Sequence, residues 1–195
     1  MTMSRSSRRL WPRARNAFLL PLLLSVVAAA PAAPVVTTVV LVVRHAERAP
    51  GTGDVPLSET GQARAAALAA IGKDAGVQVI IHTQLLRSRQ TAEPLAGALG
   101  ILPVVVSTQS DLTRHAAEVA AAVRLNAGKT VLVVGHSNTV TPIVSALGGT
   151  RYPDLCDAEY DALFTLVIDS EGSVRTVRTR FGAPTPLDAG CGGMR

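Results

Sequence analysis

Long apolar runs rich in β-branched residues recur along the chain, separated by alanine-rich stretches. The runs lie at residues 35–43, 77–83, 104–106, 130–136, 162–169 and 173–181. Several are continuously apolar instead of alternating with polar residues, which is typical of strands covered on both faces. The stretches between them open near capping residues and several close on glycine, as helices do. The pattern therefore predicts strands and helices in alternation.

This alternation predicts an α/β fold of three layers, with helices on both faces of a mostly parallel sheet. The turn sequence Asp-Ser-Glu-Gly-Ser at 169–173 predicts that the last two strands form an antiparallel hairpin. No internal repeat or second domain is visible. Residues 33–195 are therefore expected to form a single domain with an irregular C-terminal tail.

Pro94 indicates where the helix after the second predicted strand begins. A proline inside a helix removes a hydrogen bond and clashes with the preceding turn, so we expect this helix to begin at Gln90 or Thr91. The segment QLLRSR would then lie at the exit of the second strand or at the entrance of this helix, which puts Arg87 near the carboxyl end of the strand.

The first 32 residues have the three-part pattern of a secretory signal peptide: arginines, an apolar run at 17–30, and small residues. The apolar run is shorter than the roughly 20 residues that span a bilayer. Ala30 and Ala32 fit a cleavage site that leaves Ala33 first, although flanking prolines leave the position open. We expect a periplasmic or secreted protein, exported by the Sec or Tat route. An uncleaved leader that contacts the membrane is the alternative.

Removal of this leader changes the charge of the protein. The chain has 19 Lys and Arg against 14 Asp and Glu, a net charge of +5. The excess corresponds to the leader arginines, Arg5, Arg8, Arg9, Arg13 and Arg15, so the remaining domain is balanced. The composition thus gives no support for a nucleic-acid partner, which calls for a basic face on the folded domain.

Two cysteines, Cys156 and Cys191, lie in the part predicted to be exported. An oxidising compartment allows a disulfide between them that would tie down the C-terminal tail, and two unpaired thiols are the alternative. Their spacing is no zinc signature.

Basic side chains follow three of the predicted strands. Arg44 and His45 end the first, Arg87 follows the second, and His136 ends the strand at 130–136. Parallel sheets bind ligands beyond the carboxyl ends of their strands, so these groups are expected to meet in one crevice. Guanidinium groups match phosphate oxygens, and they should lower the pKa of a neighbouring histidine. A neutral histidine could then attack phosphorus and form a phosphohistidine.

Four segments of the chain resemble, in order, the signatures of the histidine phosphatase superfamily, which has the phosphoglycerate-mutase-like fold. They are LVVRHAE, LSETGQARAAAL, TQLLRSRQTAEPLA and VLVVGHSNTV, and the resemblance spans about residues 38–148. It implies that His45 is the phosphorylated nucleophile and His136 the second histidine of the pocket. It also implies that Arg44 and Arg87 bind the phosphate. No cofactor or metal is implied.

The acid that protonates the leaving oxygen is not identified by this resemblance. The mutase-type glutamate segment is missing, and Ser137 follows His136 where the phytase branch has an aspartate. Asp111 and Asp54 are the two candidates. Asp111 could instead interact with a helix N-terminus, and Asp54 could be an ordinary turn residue.

Other residues near the motifs have simpler interpretations. His82 ends a strand and is expected to be structural, with a position at the rim of the crevice as the alternative. His115 is expected on the surface of an amphipathic helix. Glu47 could order the site or pair with Arg48, and Tyr160 could line the pocket or pack.

Two other enzyme classes fit the sequence poorly. The segment GHSNT at 135–139 is close to the nucleophile elbow of α/β-hydrolases, but no histidine follows Ser137. His45 and Glu47 lack the spacing of a helical zinc motif, and the arginines would repel a cation. We therefore expect an exported, metal-independent phosphomonoesterase acting on a small phosphorylated substrate. A phosphohistidine-protein phosphatase and a non-catalytic phosphate-binding module remain as alternatives, and the sequence does not indicate an oligomeric state.

Overall fold

The computed structural model describes residues 36–108 and 110–185, which all fall within one compact unit. The predicted signal peptide at 1–32 and Cys191 lie outside the described residues. The disulfide between Cys156 and Cys191 therefore stays a prediction. In the described part of the chain, no helix has the length and apolar character needed to cross a bilayer.

Six strands and four helices follow one another along the chain. They are β1 (Thr38–Arg44), α1 (Glu59–Asp74), β2 (Val79–His82), α2 (Leu86–Leu99), β3 (Val104–Val105), α3 (Leu112–Arg124), β4 (Thr130–Gly135), α4 (Val140–Ala146), β5 (Ala162–Ile168) and β6 (Val174–Arg180).

The strands form one sheet in the order β3-β2-β4-β1-β5-β6. The first four strands of this order pair in parallel, whereas β5 runs antiparallel to both β1 and β6. The predicted α/β fold and its C-terminal antiparallel hairpin are both confirmed.

The apolar runs are continuous because both faces of the sheet are buried. Successive side chains of a strand point to opposite faces, so one run serves two cores. The face covered by α3 and α4 contributes Val40, Val42, Val133 and Phe164, and the face covered by α1 and α2 contributes Leu41, Val43, Leu132 and Leu163. Burying each such side chain stabilises the fold by about 1.5–3 kcal/mol.

Helix α2 differs from the sequence prediction. It begins at Leu86 and contains Pro94 in its interior, so the predicted start at Gln90 or Thr91 is wrong. Proline removes the hydrogen bond that its own N–H would have donated within the helix. Leu95, the next residue, is fully buried in the core between α2 and the sheet. This tertiary packing outweighs the local cost of the proline.

Gly61 allows α1 to approach the loop that follows β1. Ser58 caps α1 by accepting a hydrogen bond from Gly61 N at 3.1 Å, and Ser58 N donates to the carbonyl oxygen of Glu47 at 2.9 Å. A Cβ atom on Gly61 would overlap that same carbonyl oxygen. Because Glu47 is two residues from His45, this close approach fixes the backbone beside the histidine.

We expect Gly61→Ala to lower the free energy of unfolding by about 2 kcal/mol, because backbone atoms must move to admit the methyl group. Gly97→Ala is the matched control, since Gly97 is helical and a Cβ there meets nothing within 4 Å. This control should stabilise the protein by about 0.5–1 kcal/mol. Urea unfolding measures both values, and equal effects of the two substitutions would contradict the close approach.

Candidate active site

Strands β1 and β4 lie side by side and end at the same edge of the sheet. Their register pairs Arg44 with Gly135, and His45 N donates to the carbonyl oxygen of Gly135 at 2.9 Å. The next residue in each chain segment is a histidine. The rings of His45 and His136 lie with their centroids 5.2 Å apart.

Arg87 reaches the same edge from helix α2. It lies in the first turn of this helix, which is one of the two positions that the sequence allowed. Its Nε donates to Nε2 of His45 at 3.2 Å, and its Nη1 lies 3.6 Å from Oδ1 of Asp54. The structure thus brings all four residues of the predicted set together at one edge of the sheet.

The hydrogen bonds of His45 define which ring nitrogen is available. Nδ1 lies 2.7 Å from the carbonyl oxygen of Ala46, and a carbonyl can only accept, so Nδ1 carries the proton. In the neutral ring Nε2 then has the free lone pair, which accepts from Arg87. Nε2 is therefore the atom of His45 that can act as a nucleophile.

Arg44 is held by the loop that precedes β5. Its Nη1 donates to the carbonyl oxygens of Cys156, Asp157 and Glu159 at 3.0, 2.8 and 3.2 Å. Its guanidinium lies 4.0 Å from the centre of the Tyr160 ring, and Nη2 donates to the hydroxyl of that tyrosine at 3.3 Å. These contacts leave its buried Nε without a hydrogen-bond partner among the described residues.

His136 is positioned by hydroxyl groups. Its backbone N donates to Oγ1 of Thr139 at 2.8 Å, and its Nε2 lies 3.0 Å from Oγ1 of Thr83, which in turn contacts Ser88. Nδ1 of His136 is buried and has no partner among the described residues. Because Thr83 Oγ1 donates to Ser88, Nε2 of His136 is the donor to Thr83, and the neutral ring has its lone pair on Nδ1. Nδ1 can therefore accept a hydrogen bond from a ligand.

Burial is the largest cause of the low pKa values of the two histidines. It lowers the pKa of His45 to about 3, and the charges of His136, Arg44 and Arg87 add to this effect. The pKa of His136 is lowered to about 4, again by burial first and by Arg87 next. The predicted direction is confirmed, but the main cause is desolvation and not the arginines.

A cavity of about 600 Å³ opens at this edge of the sheet. It is lined by the four residues above together with Arg48, Leu85, Thr108, Leu112, Ser137, Asn138, Thr139, Asp157 and Tyr160. The volume is typical of a site for a small organic molecule. The sequence interpretation overlooked Arg48 and Asp157. The one feature of the sequence that could have indicated a place for Arg48 in the site is its position three residues after His45.

The two predicted acids occupy different places. Both oxygens of Asp54 accept from Leu86 N, at 2.9 and 3.0 Å, so this carboxylate caps α2 while it pairs with Arg87. Asp111 is the N-cap of α3 and accepts from Arg114 N at 3.0 Å. Neither is among the residues that line the cavity, whereas the exposed carboxylate of Asp157 is.

Three further expectations concern residues around the site. His82 is structural as predicted, with Nδ1 at 2.6 Å from the carbonyl oxygen of Thr83. His115 is fully buried on α3, so its predicted surface position is wrong. It belongs to the helix face that packs on the sheet. Glu47 pairs with Arg64 at 2.7 Å, and not with Arg48.

The described residues contain no group of three or more histidine, cysteine, aspartate or glutamate side chains placed to hold a metal ion. The charged groups of the cavity wall are mainly cationic, so the donor set matches an anion.

Comparisons with known proteins agree with this chemistry. The sequence model of the histidine phosphatase superfamily (branch 1) matches residues 40–113, a stretch that contains Arg44, His45 and Arg87. A comparison with curated protein sequences gave no match.

Several solved structures share the fold. The protein histidine phosphatase SixA complexed with tungstate is 21% identical, with a TM-score of 0.59 over 73% of this chain and 96% of that chain. The mycobacterial glucosyl-3-phosphoglycerate phosphatase is 14% identical, with a TM-score of 0.56 over 76% and 100%. The phosphoserine phosphatase of Entamoeba histolytica, in complex with 3-phosphoglyceric acid, is 15% identical, with a TM-score of 0.54 over 75% and 98%.

Identities this low establish the fold alone, and the sequence match covers the segment in which His45, Arg44 and Arg87 lie. The chain is therefore similar to the histidine phosphatase superfamily (branch 1) over residues 40–113, and it shares its fold with solved phosphatases.

Proposed function

We propose that this protein is a phosphatase that hydrolyses small phosphate monoesters through a phosphohistidine on His45. One observation carries the proposal: two histidines and two arginines, His45, His136, Arg44 and Arg87, line a single cavity, with Nε of Arg87 within hydrogen-bond distance of Nε2 of His45.

The proposed reaction has two displacements at phosphorus. In the first, the lone pair of His45 Nε2 forms the N–P bond while the ester P–O bond breaks, and the leaving oxygen takes up a proton. In the second, water attacks phosphorus, the N–P bond breaks, and inorganic phosphate leaves with the neutral imidazole restored. The depressed pKa of His45 keeps the lone pair free near neutral pH.

The cationic groups stabilise charge on the transferred phosphoryl group. Arg44 and Arg87 can each donate to its equatorial oxygens, at about 1.5–3 kcal/mol per charged hydrogen bond. The hydrogen bond from Arg87 to His45 Nε2 must break when the ester binds, because the same lone pair cannot accept a hydrogen bond and attack phosphorus at once. These arginines supply the positive charge, so we propose that no metal ion is needed.

Three carboxylates are candidates for the group that protonates the leaving oxygen: Asp54, Asp111 and Asp157. Asp54 supports Arg87 and caps α2, and Asp111 caps α3, so both are engaged in other contacts. Asp157 lines the cavity, and its side chain is fully exposed. With no carboxylate enclosed beside His45 among the described residues, a substrate with a good leaving group is favoured.

This last observation supports a second candidate, a phosphohistidine-protein phosphatase. The imidazole of such a substrate leaves more easily than an alkoxide, and the solved structure of SixA, a protein histidine phosphatase, has the same fold. The phosphate esters named with the other two structures support the monoesterase. A panel that contains phosphate esters and a phosphohistidine peptide separates the two candidates.

We also propose that the protein is exported, on the strength of the leader at residues 1–32. Export would remove it from cytoplasmic phosphotransfer proteins and thus favours the monoesterase over the second candidate.

The His45→Ala variant should lose phosphatase activity by about a thousandfold or more, because the nucleophile is gone. Wild type should keep its activity in the presence of a chelator. Brief reaction with a ³²P-labelled ester should label the wild-type protein, with an acid-labile and base-stable bond, and leave His45→Ala unlabelled. Activity that survives in His45→Ala, or that disappears with the chelator, would refute the mechanism.

Stability should depend on pH through His45. In the unfolded chain a histidine binds a proton below a pH of about 6.5, whereas in the folded protein His45 does so only near pH 3. The folded state therefore loses stability, relative to the unfolded state, as pH falls from about 6.5 towards 3. His45→Asn removes this contribution. From pH 7 to pH 5, wild type should lose about 2 kcal/mol more than the variant in urea unfolding. Parallel losses would show that His45 keeps an ordinary pKa.

Cell fractionation of the full chain tests export. The protein should appear outside the cytoplasm with residue 33 at its N-terminus, as read by mass spectrometry. A control with Leu20→Arg and Leu23→Arg interrupts the apolar run and should remain inside. Full-length protein in the cytosol of cells that express the unaltered chain would contradict the proposal.

A further inference from the structure

A third arginine, Arg48, lies at the mouth of the cavity. Its exposed side chain lines the same cavity as Arg44 and Arg87. Its backbone forms an isolated antiparallel bridge with Leu57, which holds Arg48 at a fixed place relative to His45. The side chain is thus anchored at its base and free at its tip.

The other two arginines already have partners in the protein. Arg44 is bound by backbone carbonyls and Tyr160, and Arg87 by His45 and Asp54. Arg48 forms no hydrogen bond or ion pair with any residue in the described part of the chain. Its guanidinium therefore has its full donor capacity for a ligand.

Charge at the cavity wall is also unbalanced. Burial is the largest cause of the lowered pKa values of Arg44 and Arg87, and the positive charge of Arg48 adds to it in both cases. The three guanidiniums are therefore close enough to affect one another. Asp157, the carboxylate that lines the cavity, is fully exposed and lies 4.0 Å from Arg44.

We propose that Arg48 binds a second anionic group of the substrate, a carboxylate or another phosphate, apart from the phosphate that is transferred. This inference rests on the proposed function and names its substrate class: phosphate esters that carry a second negative charge. A cavity of about 600 Å³ has room for the body of such a molecule between the two anions. The planar guanidinium binds either oxyanion through two parallel hydrogen bonds.

Two aryl esters of the same shape test this inference. The 4-carboxyphenyl phosphate has a second anion, and 4-carbamoylphenyl phosphate does not. In wild type, kcat/KM should favour the carboxylated ester. In Arg48→Gln the ratio of the two kcat/KM values should fall by about fivefold or more. Arg48→Lys, which keeps the charge, should restore part of the ratio.

Arg89→Gln is the matched control, since Arg89 is an exposed arginine of α2 outside the cavity lining. The ratio should not change in this variant. Inhibition by inorganic phosphate measures binding in the pocket of the transferred phosphate. In Arg48→Gln this inhibition should weaken much less than the binding of the carboxylated ester.

Two results would overturn the inference. An unchanged ratio in Arg48→Gln would show that Arg48 binds no second anion. Loss of phosphate inhibition equal to the loss for the carboxylated ester would place Arg48 on the transferred phosphate. If wild type hydrolyses neither ester, the proposed function fails instead. The affinities of the two esters for wild type and for Arg48→Gln, measured by calorimetry, then test the role of Arg48. The ratio of the two affinities should fall in Arg48→Gln if Arg48 binds the second anion.

Discussion

The parallel register of β1 on β4 is the constraint on which the site depends. It aligns Arg44 with Gly135, so that His45 and His136 emerge together at the same edge of the sheet. Both strands are continuously apolar, so a one-residue shift in their register would still bury apolar side chains on both faces. In a strand that alternates apolar and polar residues, the same shift would bury the polar ones. Contacts at the other end of β1 help to define the register: Thr38 accepts a hydrogen bond from Gly128 N at 2.9 Å, and Val39 N donates to the Lys129 carbonyl at 3.1 Å.

The site is completed by parts of the chain far from its signature motifs. Carbonyl groups between Cys156 and Glu159 hold Arg44, although they follow it by more than a hundred residues. Arg64 similarly connects distant segments, since it binds Glu47, two residues after His45, and the Phe181 carbonyl after β6. The family match ends at residue 113, yet the contacts that orient its arginine come from beyond that point.

Burial explains both the chemistry and the stability of the site. Desolvation lowers the pKa of both His45 and His136, which keeps their rings neutral and leaves each with a free lone pair. The same desolvation opposes folding at acidic pH, because these histidines bind protons in the unfolded chain at pH values where the buried rings do not. The neutral state of the two rings and the expected loss of stability in acid thus have one physical origin in this fold.

The sequence by itself determined the strands, the layer arrangement and the four residues of the site, because apolar periodicity and strand-end position are local properties. It did not determine the start of α2, since the buried Leu95 outweighs the cost of Pro94 only once the core exists. It also misplaced His115, whose burial depends on the sheet beneath α3, and it gave no partner for Glu47. Tertiary structure alone decided which arginines are already bound and which one, Arg48, faces the cavity free. Long-range packing and desolvation are properties of neighbours in space, and a linear pattern does not contain them.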